Sequence, residues 1–328
     1  MDKLKYAFYC AASCGGCEIA VLDIDEKILD VVETVNIIFW PVAMDIKYND
    51  LKAMPDKGID VCFFNGAIRT EENEYMAKML RRKSKILVAF GSCAHEGGVI
   101  GLANLWNQNT IFERVYLKTP STRNPGRTTP KTVIKVDEGE LTLPAFYDTV
   151  KTLDQTVEVD YYLPGCPPPV SLIVKALETI EKGVLPPKGS VLAPDKSVCD
   201  ECPRIREEKT ISKIKRIYEI VPEEEKCLLE QGIICRGLAT RAGCGAQCLT
   251  VNMPCTGCGG PCPNAMEQGV AIMSALASIL GANQEKSNEY AVETLINQIR
   301  DPVGTFYLYS LPHSILRRRV IKDKKTSW

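Results

Sequence analysis

Nine of the chain's fifteen cysteines fall between residues 199 and 262: Cys199, Cys202, Cys227, Cys235, Cys244, Cys248, Cys255, Cys258 and Cys262. No other feature limits the possible folds so sharply. The surrounding sequence is loop-rich and poor in strand pattern, so it assembles little apolar core of its own and needs metal sites to organise it. Disulfides explain the thiols badly. The N-terminal stretch "MDKLKYAFYC" has neither a long apolar run nor a small-residue cleavage site, which predicts a cytoplasmic chain whose thiols stay reduced. Histidine narrows the choice further, because only His95 and His313 are present and neither lies in a C-x-x-C-H or H-E-x-x-H motif. Any metal here is held by sulfur.

The segment "CGAQCLTVNMPCTGCGGPCP" resembles bacterial ferredoxin runs, with C-x-x-C-x-x-x-C-P at Cys255, Cys258 and Cys262. A zinc ribbon uses paired C-x-x-C knuckles, whereas this irregular spacing suits a cubic iron-sulfur cluster better. Nine thiols supply eight ligands and one spare, so two four-cysteine clusters are expected. The partition assigns Cys199, Cys202, Cys227 and Cys235 to one, and Cys244, Cys248, Cys255 and Cys258 to the other. Cys262 is the spare, although it can replace Cys248 without breaking a spacing rule.

The first half reads differently. Short apolar runs at Lys3 to Tyr9, Thr34 to Trp40, Ile59 to Phe64, Lys85 to Phe90 and Val157 to Leu163 predict strands, with helical patterns at Glu18 to Val32, Glu71 to Arg82 and Val170 to Lys182. Such alternation predicts an α/β fold, a doubly wound parallel sheet with helices on both faces. Ligands of these sheets bind beyond the carboxyl ends of the strands. Three strand ends run into cysteine there: "FYCAASCGGCEIAVLDIDEKILD" with Cys14 and Cys17, "GSCAHEGG" with Cys93, and "PGCPPP" with Cys166. Four thiols are the ligand set of a 4Fe-4S cluster and equally of an all-cysteine zinc site. The glycines beside them (Gly15, Gly16, Gly91, Gly97, Gly98 and Gly165), which let backbone N–H groups approach a bulky anion, and the helix start after Cys17 favour the cluster. Pro167 to Pro169 stiffen the last loop. Cys10 and Cys62 are expected simply to pack, and His95 to serve the loop by hydrogen bonding.

Pro and Gly from "LPPKGSVLAPDKS" onward mark a linker. The expected organisation is residues 1–185 for the first cluster, 186–282 for the other two, and 283–328 as a C-terminal extension. An apolar-faced helix is expected at Ala265 to Leu280, and "ILRRRVIKDKK" reads as a solvated or partner-contacting basic run. Forty basic residues against 41 acidic ones leave no field to attract nucleic acid. No stretch reaches the roughly 18 apolar residues of a membrane span.

Taken together, C-x-x-C at Cys14 and Cys17, G-x-C-x-x-x-G-G at Gly91 to Gly98, G-C-P-P at Gly165 to Pro168, and "ATRAGCGAQC" with "PCTGC" resemble the small subunits of NiFe hydrogenases. The likeness is strongest to the cytoplasmic methyl-viologen-reducing, deazaflavin-non-reducing type that accompanies heterodisulfide reductase. That resemblance implies a flavodoxin-like first domain whose cluster, on Cys14, Cys17, Cys93 and Cys166, lies proximal to a NiFe centre in a separate large subunit. Electrons would pass through a medial cluster (Cys244, Cys248, Cys255, Cys258) to a distal one (Cys199, Cys202, Cys227, Cys235). The chain itself would perform no hydrogen chemistry. Implied partners are the large subunit, a small 2Fe-2S electron-transfer subunit and a flavin-containing heterodisulfide reductase. In many relatives a histidine begins the distal set; Cys199 stands there instead, which agrees with the cytoplasmic group, as does the lack of a twin-arginine leader. Alternatives are a subunit of a respiratory or membrane-bound hydrogenase-like complex, against which the nine later cysteines count, a deazaflavin-reducing hydrogenase or sulfhydrogenase subunit, a stand-alone multicluster electron carrier, and a structural zinc protein.

Overall fold

Period-two alternation sorts the apolar side chains of the first half into two layers. In strand β1 (Leu4–Cys10), Tyr6 and Phe8 face one layer while Ala7 and Tyr9 face the other. Strand β2 spans Val35–Phe39, β3 Ile59–Asn65, the short β4 Ile68–Thr70 and β5 Ser84–Phe90. Val61, Phe63, Val88 and Phe90 join the first layer, and Cys62, Phe64, Leu87 and Ala89 the second. Because both faces are buried, these strands need apolar residues at every position, which is why they read as continuous runs. The remaining strands of the described residues are β6 (Val133–Val136), β7 (Gly139–Thr142), β8 (Phe146–Lys151) and β9 (Tyr161–Leu163). This computed structural model describes residues 3–207, 210–280, 293–294 and 297–316.

The main sheet has the order β2-β1-β3-β5-β9, and every pairing in it is parallel. That is the doubly wound, flavodoxin-like arrangement. Helix Val170–Glu181 and helix Gly16–Leu22 cover the first layer through Ile173, Ala176, Leu177, Ala20 and Val21. Helices Tyr48–Ala53 and Glu71–Lys83 cover the second through Leu51, Met76 and Leu80. Thr70 starts the latter with its hydroxyl accepting from the Asn73 amide while Asn73 Oδ1 accepts from the Thr70 amide, a reciprocal cap.

The single helix expected over Glu18 to Val32 is two, Gly16–Leu22 and Lys27–Thr34. Asp25 sits in the left-handed region at φ 55° and breaks the run. The last strand is also shorter than Val157 to Leu163: the amide of Val157 turns back to Leu153 O, and pairing with β5 covers only Tyr161–Leu163. Helix Tyr48–Ala53 and two small antiparallel pairings had no counterpart in the sequence pattern. β4 pairs antiparallel with β8, and β6 with β7 as a hairpin. On one side of that hairpin lie Ile134, Val136, Leu141 and Leu143, all exposed; on the other Lys135 stands opposite Glu140.

After residue 185 the described residues form isolated bridges, single 3-10 turns, two short helices (Gln247–Thr250 and Pro302–Phe306) and one longer helix, Gln268–Ile279, inside the expected Ala265 to Leu280. Their buried clusters are small, and one of them, around Val198, Leu228, Ile233 and Leu249, counts Cys235 and Cys255 among its members. From residue 317 the basic run lies outside the described residues.

Asp160 locks the amino edge of this sheet, opposite the end where the cysteines gather, to its surroundings. Its buried carboxylate takes Arg81 Nη1 at 2.5 Å, Lys188 Nζ at 2.6 Å and the Leu87 amide at 2.8 Å. Burial alone would raise its pKa, but the Lys188, Arg81 and Leu87 bonds outweigh it and hold the carboxyl below the usual range. A depressed folded pKa gives stability that is present at neutral pH and is lost as the pH falls through the acid range below about 4. Asp160→Ala removes the carboxylate from half-buried Arg81, which keeps its bonds to the Glu158, Ser84 and Lys85 carbonyls, so anaerobic denaturant titration at pH 7 should show a loss of about 2 kcal/mol, shrinking toward acid pH.

Candidate metal centres

Three strand ends deliver the first set of thiols. β1 runs out at Cys10, and the chain reaches Cys14 and then Cys17 in the first turn of helix Gly16–Leu22. β5 leads through Gly91 into the short turn Ser92–His95, which carries Cys93, and β9 leads through Gly165 to Cys166. The last two loops are stitched together, with the Gly91 amide on Leu163 O at 2.8 Å and the Ser92 amide on Gly165 O at 2.7 Å. Two glycines make room for sulfur. A Cβ on Gly91 would lie 2.4 Å from Cys17 Sγ, and one on Gly98 the same distance from Cys93 Sγ; both residues have positive φ.

The four thiols sense one another. Burial pushes the Cys17 thiol far up, with further push from Cys93, Cys166 and Cys14. Cys93 is raised to about 12 by burial and then by Cys166 and Cys14, and Cys166 by burial and Cys14. Cys10 stands at the margin, its Sγ 3.1 Å from Ser13 Oγ, while Cys62 is fully buried in the second layer.

A second set follows directly. Cys244, Cys248, Cys255 and Cys258 line one cavity, walled on its other sides by Leu172, Val198 and Leu249. Cys262 is not part of that wall, and its Sγ lies 3.7 Å from Leu238 O. The third set is electrostatically joined around Cys199, raised to about 12 by burial and then by Cys235, Cys227 and Cys202. Neighbouring sets also touch. The Cys258 thiol, raised to about 11 mainly by burial, accepts the Cys166 backbone N–H. Cys255 and Cys235 are mutual neighbours, and the Cys255 amide donates to the Cys235 sulfur. The thiols thus form a continuous line from the sheet's carboxyl edge into the second half.

Sulfur ligates metal as thiolate, and buried thiols crowded by other thiols resist ionising until a cation compensates them. Backbone N–H groups already point at several sulfurs: Gly16 at Cys14 (3.4 Å), Gly237 at Cys235 and Gly257 at Cys255. All-cysteine donors, N–H···S bonds and glycine clearances fit an anionic iron-sulfur group. Among the described residues no three His, Cys, Asp or Glu side chains close to the spacing of one metal ion; the thiols share neighbourhoods instead of a single tight shell.

Several supporting residues carry no signal in the sequence pattern. Glu201, between Cys199 and Cys202, accepts the amides of Gly243 and Gly245 at 3.0 and 2.9 Å and so clamps the loop of Cys244. Gln268 Nε2 reaches Gly257 O and Gly260 O, bracing the Cys258 turn, and the Thr240 side chain bonds the Cys255 thiol. The amides are the exception. Cys14, Cys235 and Cys255 each have glycine two residues later, the spacing that turns an amide onto the sulfur.

Residues 14–180 match the family model described as NADH ubiquinone oxidoreductase, 20 Kd subunit. Over 97% of this chain and 99% of its own length, the iron-sulfur subunit of the F420-non-reducing hydrogenase of Archaeoglobus profundus is 43% identical. This chain belongs to that hydrogenase subunit family. The corresponding F420-non-reducing hydrogenase subunit of Methanothermobacter thermautotrophicus is 33% identical, with 99% of each chain covered. In fold, the chain resembles a chain of the recombinant NiFeSe hydrogenase from Desulfovibrio vulgaris Hildenborough, with a TM-score of 0.50, 15% identity, and 80% of this chain and 94% of that chain covered. The protein is therefore a small, electron-transferring, iron-sulfur subunit of a hydrogenase, an oxidoreductase.

The glycine clearances give a direct test. Gly91→Ala and Gly98→Ala drive a methyl into the Cys17 and Cys93 sulfurs and should each lower the iron and sulfide content of anaerobically purified protein. Gly126→Ala, whose Cβ meets only Thr128 Oγ1 at 3.5 Å, should leave both unchanged.

Proposed function

We propose that this chain conducts electrons through three 4Fe-4S clusters between the NiFe centre of a separate large subunit and a 2Fe-2S subunit serving a flavin-containing heterodisulfide reductase. Cys14, Cys17, Cys93 and Cys166 hold the proximal cluster. Cys244, Cys248, Cys255 and Cys258 hold the medial one, and Cys199, Cys202, Cys227 and Cys235 the distal one. Bound there, the clusters supply one-electron carriers of tunable potential. The observation that carries this reading is the unbroken line of thiol sets, joined by the Cys166 amide at Cys258 and the Cys255 amide at Cys235. Its order is proximal, medial, distal.

The chain's own residues have definite tasks in this reading. Gly16, Gly237 and Gly257 present amides to sulfur, stabilising negative charge without reorganising when an electron arrives. Leu172, Val198 and Leu249 keep water from the middle set. Cys262 is the spare thiol, since the cavity wall includes Cys248 and not Cys262. The separate buried clusters in the two halves support a division at about residue 185, with 186–282 bearing two clusters and 283–328 following as an extension. We place the protein in the cytoplasm, where fifteen free cysteines stay reduced. Among the described residues no helix is long and apolar enough to cross a membrane.

Anaerobic isolation with the large subunit tests the reading. Iron and sulfide should both approach about twelve per chain, with broad visible absorption and a paramagnetic signal on reduction; colourless, zinc-loaded protein overturns it. Cys258→Ala should leave hydrogen activation at the partner intact and stop delivery to a distant acceptor. Cys248→Ala should cost about four irons and Cys262→Ala none; the reverse pair of results would exchange their roles.

A further inference from the structure

The chain's two histidines, far apart in sequence, converge on one buried carboxylate. Glu96 Oε1 lies 3.2 Å from His95 Nε2, and Oε2 lies 3.2 Å from His313 Nδ1, across 217 residues of sequence. His313 Nε2 faces Asp154 Oδ2 at 3.6 Å, and Asp154 in turn accepts the Tyr162 hydroxyl at 3.2 Å. The preceding residue is seated as closely. Pro312 fills the gap left by two glycines of the Cys93 loop, where a Cβ on Gly97 or Gly101 would come within 2.3 or 2.4 Å of its ring. Gln155 Nε2 donates to Pro312 O at 2.8 Å.

This clasp touches the next cysteine loop as well. Gly260, two residues after Cys258, rests against Glu96 and His95, so that a Cβ there would stand 3.5 Å from both Glu96 Oε1 and His95 Cε1. Ser92 Oγ donates to Cys258 O at 2.6 Å. On its other side the segment is anchored by Tyr307 and Leu311, which pack on Ile272 and Leu276 of helix Gln268–Ile279. Two cysteine loops and the C-terminal segment therefore share one joint, and a fully buried Glu96 is its centre. A buried carboxylate needs a partner, and here the Oε2 hydrogen bond goes to His313 of the C-terminal segment while Oε1 faces His95 Nε2 and the Gly260 turn.

We propose that Glu96 is a positioning residue which, by clasping Pro312–His313 onto the Cys93 loop and seating Gly260 against it, fixes the spacing between the first and second thiol sets. The inference rests on the electron-relay reading above. Sulfur ligation itself does not need Glu96, because each set has its own four thiols; what the clasp controls is the gap across which an electron passes. Small misplacements matter there for the same reason they matter in any preorganised site.

The test uses the anaerobically purified complex carrying Glu96→Ala, Glu96→Gln or Gly101→Ala. Gly101 has no positive φ, so its alanine variant pushes Pro312 out from the opposite side without touching the carboxylate. Glu96→Ala and Gly101→Ala should keep full iron and sulfide, while the amides of His313 and Ser314, which bond Ser310 O, exchange on the order of tenfold faster. In both, the magnetic interaction between the first two reduced clusters should change, and delivery to the distal acceptor should slow on the order of tenfold. Glu96→Gln, whose amide can still bond His313 once that ring adopts its other tautomer, should restore parental values. Loaded variants with parental magnetic interaction and delivery overturn the proposal, as does Glu96→Gln behaving like Glu96→Ala. So does iron loss in Glu96→Ala alongside a parental Gly101→Ala. If the parent itself lacks cluster signals, the relay reading fails, while amide exchange still reports on the clasp.

Discussion

The constraint on which the rest depends is the cost of holding many reduced thiols together away from water. Burial and mutual proximity keep the sulfurs of Cys17, Cys93, Cys199, Cys255 and Cys258 protonated in the bare chain. A cation reverses that preference by favouring thiolate, so folding energy and metal affinity become one quantity in the second half. The first half does not share this dependence. Its sheet buries two apolar layers and stands by ordinary packing.

That difference explains how the two halves cooperate. The sheet provides three rigid strand ends for the first thiol set, and it also offers the Cys166 amide and Ser92 hydroxyl to the Cys258 turn. A loop region with little core thereby borrows order from its neighbour. Glu201 and Gln268 extend the same logic inward, each carboxylate or amide side chain holding two backbone groups of a cysteine loop in place.

Much of this was legible in the sequence, and for identifiable reasons. Strands β1, β3 and β5 announce themselves because double-sided burial demands unbroken Val, Ile, Phe and Tyr. The gathering of Cys14, Cys17, Cys93 and Cys166 at one edge follows because they sit just past the ends of three parallel strands of one sheet. What stayed hidden depends on distance along the chain or on a single residue's conformation. Asp25 splits a helix that periodicity alone leaves whole, and β4 finds β8 across a long insertion. The meeting of Glu96 with His313 has no local signature at all, and it is the fold that puts Cys248, and not Cys262, on the wall shared with Cys244, Cys255 and Cys258, where spacing is silent.

The hairpin formed by β6 and β7 carries a consequence for the life of the protein before assembly. Two strands alone are barely stable in water, and this pair turns Ile134, Val136, Leu141 and Leu143 toward solvent. An apolar face on so small a ribbon favours association between chains wherever it is left open to water. The part of the chain that owes least to sulfur is therefore also the part that most limits how concentrated the isolated protein can be kept in solution.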